Sequence, residues 1–140
     1  MLRLTSRLLT LAFVLTFILA ACGGGASSST ESKTITLTMN EFQFQPAQIT
    51  VNVGQPITLV LKNTGTVLHD FVSTDAMVEV MAEHGAMHDM GGMETAMHAA
   101  IEAGQQSTLE FKATQAGTYT FYCTIAGHKE AGMTGKLIVK

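Results

Sequence analysis

Cys123, His128 and Met133 stand four intervening residues apart in the run Cys123-Thr124-Ile125-Ala126-Gly127-His128-Lys129-Glu130-Ala131-Gly132-Met133. A strand-like run precedes this stretch and another follows it, so a tight loop can turn a thiolate, an imidazole and a thioether inward on one ion. Such donors select copper. Hard ions take oxygen and structural zinc takes four thiolate or imidazole ligands, whereas one Cys, two His and a weakly held Met describe an electron-transferring copper centre. The set needs a second imidazole. His69, in Val67-Leu68-His69-Asp70-Phe71-Val72, lies 54 residues before Cys123, so only tertiary structure can bring it to the loop. The competing account, a buried Cys with two unrelated His residues, leaves the place of Met133 and of the flanking strands unexplained.

The elements that must position these residues read as β-strands. Thr34 to Met39 alternates with Ile35, Leu37 and Met39 on one face, and Gln48 to Val53 repeats the pattern with Ile49, Val51 and Val53. Ile57 to Lys62 and Val67 to Ser73 follow, separated by turns at Gly54-Gln55-Pro56 and Asn63-Thr64-Gly65. Later come Ser107 to Ala113, Thr118 to Cys123 and Gly135 to Lys140. Short strands with regular turns predict an all-β sandwich or barrel. A period of two puts Tyr119 and Phe121 on the face of Cys123, beneath the metal site. Gly117-x-Tyr119 resembles the tyrosine corner of Greek-key sandwiches.

A Cys-x4-His-x4-Met loop after an aromatic strand, with one earlier His beside an apolar strand, resembles the cupredoxins. Cys-Thr-x-x-Gly-His is most similar to the azurin and auracyanin members. The resemblance covers residues 34 to 140 apart from one insertion. It implies a Greek-key β-sandwich with one type 1 copper, His69, Cys123 and His128 in the trigonal plane, Met133 as weak axial ligand, and His128 as the exposed edge through which electrons pass. Departures are local. Ile125 and Ala126 replace the usual Phe-Pro, Lys129 and Glu130 put charge where members often present an apolar docking patch, and Asp70 stands where Asn is common. The hydrogen bond that such a residue gives the Cys loop is then in question. Catalysis is not expected. A two-copper electron-transfer site would need a second Cys where Gly127 stands, and the paired His motifs of multicopper oxidases are missing.

The insertion, residues 75 to 104, is rich in Ala, Glu, Met and His, and no Lys or Arg occurs between Lys62 and Lys112. A helix is predicted: Ser73, Thr74 or Asp75 can cap it, and Met77, Met81, His84 and His88 recur on one helical face. Gly91-Gly92 interrupts, and Met93 and Met97 begin a second helical piece ending near Ala103-Gly104. Two readings of the Met stripe stand side by side. It is an adaptable apolar face laid on the sandwich, or it is a second site for Cu(I), which thioethers favour.

Residues 1 to 21 are expected to be a lipoprotein signal peptide. Arg3 and Arg7 give the positive start, Leu8 to Leu19 form a short apolar run, and Leu19-Ala20-Ala21-Cys22 resembles a bacterial lipobox. By that resemblance a lipid is attached at Cys22 and the protein is held on the extracytoplasmic (periplasmic) face of the cell membrane. Residues 22 to 33 are a Gly/Ser-rich tether. Lipidation leaves Cys123 as the only thiol, so an internal disulfide is excluded and a buried metal ligand is the fitting role. Without the signal, six Lys face eleven Asp and Glu, which argues against nucleic acid as a partner. Two functions remain: an electron carrier serving respiratory or photosynthetic redox proteins such as a cytochrome, and a copper-binding or delivery protein that uses the insertion.

Overall fold

The computed structural model describes residues 31 to 85 and 97 to 140, which form ten strands and, within that range, no helix. They are β1 (Lys33–Asn40), β2 (Gln43–Gln45), β3 (Gln48–Val51), β4 (Pro56–Asn63), β5 (His69–Ser73), β6 (Val78–Gly85), β7 (Met97–Ile101), β8 (Gln106–Ala113), β9 (Gly117–Tyr122) and β10 (Thr134–Val139). Two five-stranded sheets run in the orders β2-β1-β4-β8-β6 and β3-β10-β9-β5-β7. Most neighbours are antiparallel, but β1 pairs with β4 and β10 with β3 in parallel. Of the sandwich or barrel that the strand spacing predicts, this is the all-β two-sheet sandwich, as the family resemblance implies.

Alternation explains the core. Leu37 and Met39 of β1, Ile57, Leu59 and Leu61 of β4, and Leu109, Phe111 and Ala113 of β8 are buried, while their neighbours along each strand face outward. Ile49, Val51, Tyr119, Phe121, Leu137 and Val139 bury the inner side of the other sheet. Val53, predicted to share that face, lies beyond the end of β3 and is exposed. Phe121 packs against Phe44 and Phe71, each with ring centroids 5.1 Å away, and makes the aromatic floor under the metal loop. The phenol of Tyr119 donates to the Gln115 carbonyl at 3.0 Å, which is the tyrosine corner expected from the sequence.

The predicted helical insertion is corrected by the structure: its described parts are strands at the two sheet edges. β6 pairs with β8 on one sheet and β7 with β5 on the other. Local composition favours a helix, but β8 and β5 would otherwise leave rows of backbone groups unpaired, and the ladders satisfy them. The stripe is dispersed as a result. Met81 falls at an irregularity between Val80 and Ala82, where β6 slips against β8. Met77 and Met81 are 51% and 48% exposed, His84 is exposed, and Met97 is fully buried in the core. The packing account thus fits Met97 and not Met77 or Met81. His88, the Gly91-Gly92 interruption and Met93, where the second helical piece was expected to begin, lie outside the described residues, as do the expected signal segment and Cys22.

Candidate metal centre

Three elements carry the site. His69 is the first residue of β5, Cys123 follows the last residue of β9, and the turn from Ala126 to Gly132 leads through His128 to Met133, the residue before β10. The Cys loop is stiffened by its own backbone. His128 N donates to Ile125 O at 3.0 Å, Ala131 N to Gly127 O at 3.0 Å, and Gly132 N to Lys129 O at 3.0 Å. Gly127 and Gly132 have φ of 83° and 106°, a region that side chains with a Cβ avoid, so these two glycines let the loop close. Met133 is tied to both neighbours in the site: its N–H donates to His128 O at 2.9 Å and its carbonyl accepts from Cys123 N at 3.1 Å. These hydrogen bonds restrain the loop, which has no Pro.

The sequence-predicted ligands come together. One donor atom from each of His69, Cys123 and His128 lies within 4.8 Å of the others, and all three residues are buried. His69 Nδ1 is 3.2 Å from His128 Nδ1, which is 3.5 Å from Cys123 Sγ. Met133 is fully buried in the same cluster of core residues. Two inward ring nitrogens, a thiol and a buried thioether fit a copper ion in both number and softness. Burial pushes the Cys123 thiol up to about 11. Burial, reinforced by the neighbouring His128, lowers His69. Both shifts favour the uncharged groups in a dry pocket, where a bound cation would instead favour the thiolate.

Asp70 answers the question raised by its identity. The carboxylate is fully buried, and Oδ1 accepts from the Thr124 N–H at 2.5 Å while Oδ2 accepts from the Thr124 hydroxyl. It therefore holds the Cys loop to β5. On its other side His98 Nε2, from β7, lies 3.8 Å from Oδ2. The insertion thus reaches the site through His98, a contact without a periodic signal in the sequence.

Two further residues were not visible in the sequence. Phe42, in the turn between β1 and β2, has φ of 65° and sets its ring edge-on to His128 with centroids 5.3 Å apart. Phe42 is 48% exposed and His128 only 8%, which corrects the expectation of an exposed His128 edge. Glu41, beside it, accepts from Thr66 N at 2.6 Å and Thr66 Oγ1 at 2.8 Å, joining the β1–β2 turn to the segment that leads into His69. Outside the Cys loop, an open depression of about 560 Å³ is lined in part by Tyr122, Ile125, Lys129 and Glu130, with Lys129 Nζ 3.9 Å from the centre of the Tyr122 ring.

The profile of the cupredoxin-like domain family matches residues 9–139. A copper-resistant cuproprotein, CopI, of Rubrivivax gelatinosus is 34% identical over 122 residues, covering 84% of this chain and 73% of that protein. Auracyanin-A of Chloroflexus aurantiacus is 29% identical over 161 residues, covering 98% of this chain and 99% of that protein. The reduced auracyanin structure from Roseiflexus castenholzii superposes with a TM-score of 0.59 at 24% identity, covering 77% and 97% of the two chains, and supports the fold. With the fold, the buried His-Cys-His-Met cluster and these matches in hand, the chain belongs to the cupredoxin-like domain family and carries a type 1 copper site.

Proposed function

We propose that this protein is a one-electron carrier, held by an N-terminal lipid on the extracytoplasmic face of a membrane, that serves redox protein partners. The observation that carries the proposal is the assembled, buried donor set of His69, Cys123 and His128. Copper bound there would supply a one-electron couple between Cu(II) and Cu(I). The chain's part is to keep the ligands still. Hydrogen bonds inside the loop, the Asp70–Thr124 tie and the Phe121 floor fix all of them before the metal arrives, so little rearrangement accompanies a change of charge. Phe42 and His128 form the side of the site nearest to solvent, and a partner would meet the Phe42 ring there.

Electron exchange is tested by mixing the reduced copper protein with an oxidised small cytochrome and following both spectra. Fast, repeatable exchange with copper retained supports the carrier. Release of copper on each cycle, or transfer to a metal-free acceptor, contradicts it. The tether rests on the lipobox at Cys22, and mass spectrometry of the mature N-terminus tests it, since an unmodified chain starting elsewhere ends that reading.

The second reading, copper capture or delivery, draws on the exposed side chains of Met77, just before β6, and of Met81 and His84 within that edge strand. Its test is Cu(I) titration of Cys123→Ser against a competing chelator, with and without Met77→Leu and Met81→Leu. Residual binding that the two Leu substitutions leave unchanged removes these residues from any second site.

A further inference from the structure

A neutral imidazole that offers Nδ1 to a metal must carry its proton on Nε2, and that N–H needs a partner for the ring to keep one tautomer and one orientation. His69 turns Nδ1 toward His128 and Cys123, and its Nε2 is buried with no hydrogen-bond partner in the protein. The Glu41 carboxylate is the nearby anion. His69 Nε2 and Glu41 Oε1 lie 2.8 and 2.9 Å from the single point where a side chain at residue 65 would begin, and residue 65 is glycine. Any larger residue there would collide with both. Glu41 is fixed in this place by the Thr66 N–H and hydroxyl, which donate to its Oε1 at 2.6 and 2.8 Å.

We propose that Glu41 is a positioning residue for the copper ligand His69: its negative charge holds the proton on Nε2 and so keeps the Nδ1 lone pair turned into the metal site. Gly65 leaves room for both side chains, and Thr66 aims the carboxylate. The same charge stabilises the oxidised over the reduced ion, because an anion near a ligand ring favours the more positive metal. The inference rests on the copper-site assignment and is independent of whether the protein serves as an electron carrier.

The experiment compares wild type with Glu41→Gln, Glu41→Asp and Thr66→Val by two readouts. In the metal-free protein, ¹⁵N chemical shifts of His69 report the tautomer. In the copper-loaded protein, voltammetry reports the midpoint potential. The expected result is a wild type dominated by the Nε2–H form, a mixed population in Glu41→Gln, and an upward shift of the midpoint in that variant, with Glu41→Asp moving back toward wild type. Thr66→Val weakens the loop tie while retaining the charge, so it should shift the midpoint less than Glu41→Gln. Equal shifts in those two variants would reduce Glu41 to a loop fastener and overturn the proposal, as would an unchanged tautomer in Glu41→Gln. Failure of the wild type itself to bind copper would instead overturn the site assignment.

Discussion

Asp70 and Thr124 join the strand that presents His69 to the loop that presents Cys123, through a backbone N–H and a hydroxyl on one buried carboxylate. Asp70→Ala removes the acceptor and leaves the Thr124 N–H without its partner, so it should cost about 1–3 kcal/mol in denaturant unfolding. Asp70→Asn keeps a carbonyl oxygen for that N–H and should cost less; equal losses in the two variants would contradict the tie. The ligands themselves set the pH response of the metal-free protein. With Cys123 raised from 9.0 to about 11 in the fold, its contribution to stability is complete below pH 9 and is lost as the pH rises through 11. His69 is lowered from 6.5, so its contribution is present above pH 6.5 and is lost as the pH falls through the depressed value. Chemical unfolding midpoints of the metal-free protein should therefore decline on both sides of the neutral range, and a flat response at either end would contradict the corresponding burial. At this scale the ligands were legible because donor type and spacing are read directly from Cys123, His128 and Met133. Glu41 and Phe42 were not, since their partners Thr66 and His128 lie 25 and 86 residues away and no repeat links them.

Strands with strict alternation were legible as elements, and those whose local composition opposed their surroundings were not. Ile35, Leu37 and Met39 announce β1, whereas Ala, Glu and Met in residues 78 to 85 speak for a helix until β8 offers a ladder. The three-residue β2 is too short to show a period at all. β10 supplies a test at this scale. A Cβ on Gly135 would lie 2.2 Å from two Phe121 ring atoms and 2.7 Å from the Ala47 carbonyl oxygen. Phe121 has no room to yield, being fully buried between Phe44 and Phe71. Gly135→Ala should therefore destabilise the domain by about 1–3 kcal/mol. Wild-type stability in that variant would show that β10 does not cross the aromatic floor this closely.

For the whole molecule, strand count and turn spacing led to an all-β sandwich or barrel and the family resemblance chose the sandwich, but the strand order did not follow from either. The parallel pairings of β1 with β4 and of β10 with β3, and the division of the insertion between both sheets, depend on contacts distant in sequence. What this architecture achieves is convergence: β5 brings His69, while the β9–β10 loop brings Cys123, His128 and Met133. The most direct test of that claim is the visible absorption spectrum of the oxidised, copper-loaded protein. An intense thiolate-to-copper band should be present in wild type, absent in Cys123→Ser and retained, with a raised potential, in Met133→Leu. A colourless wild type, or a Cys123→Ser protein that stays blue, would contradict the account.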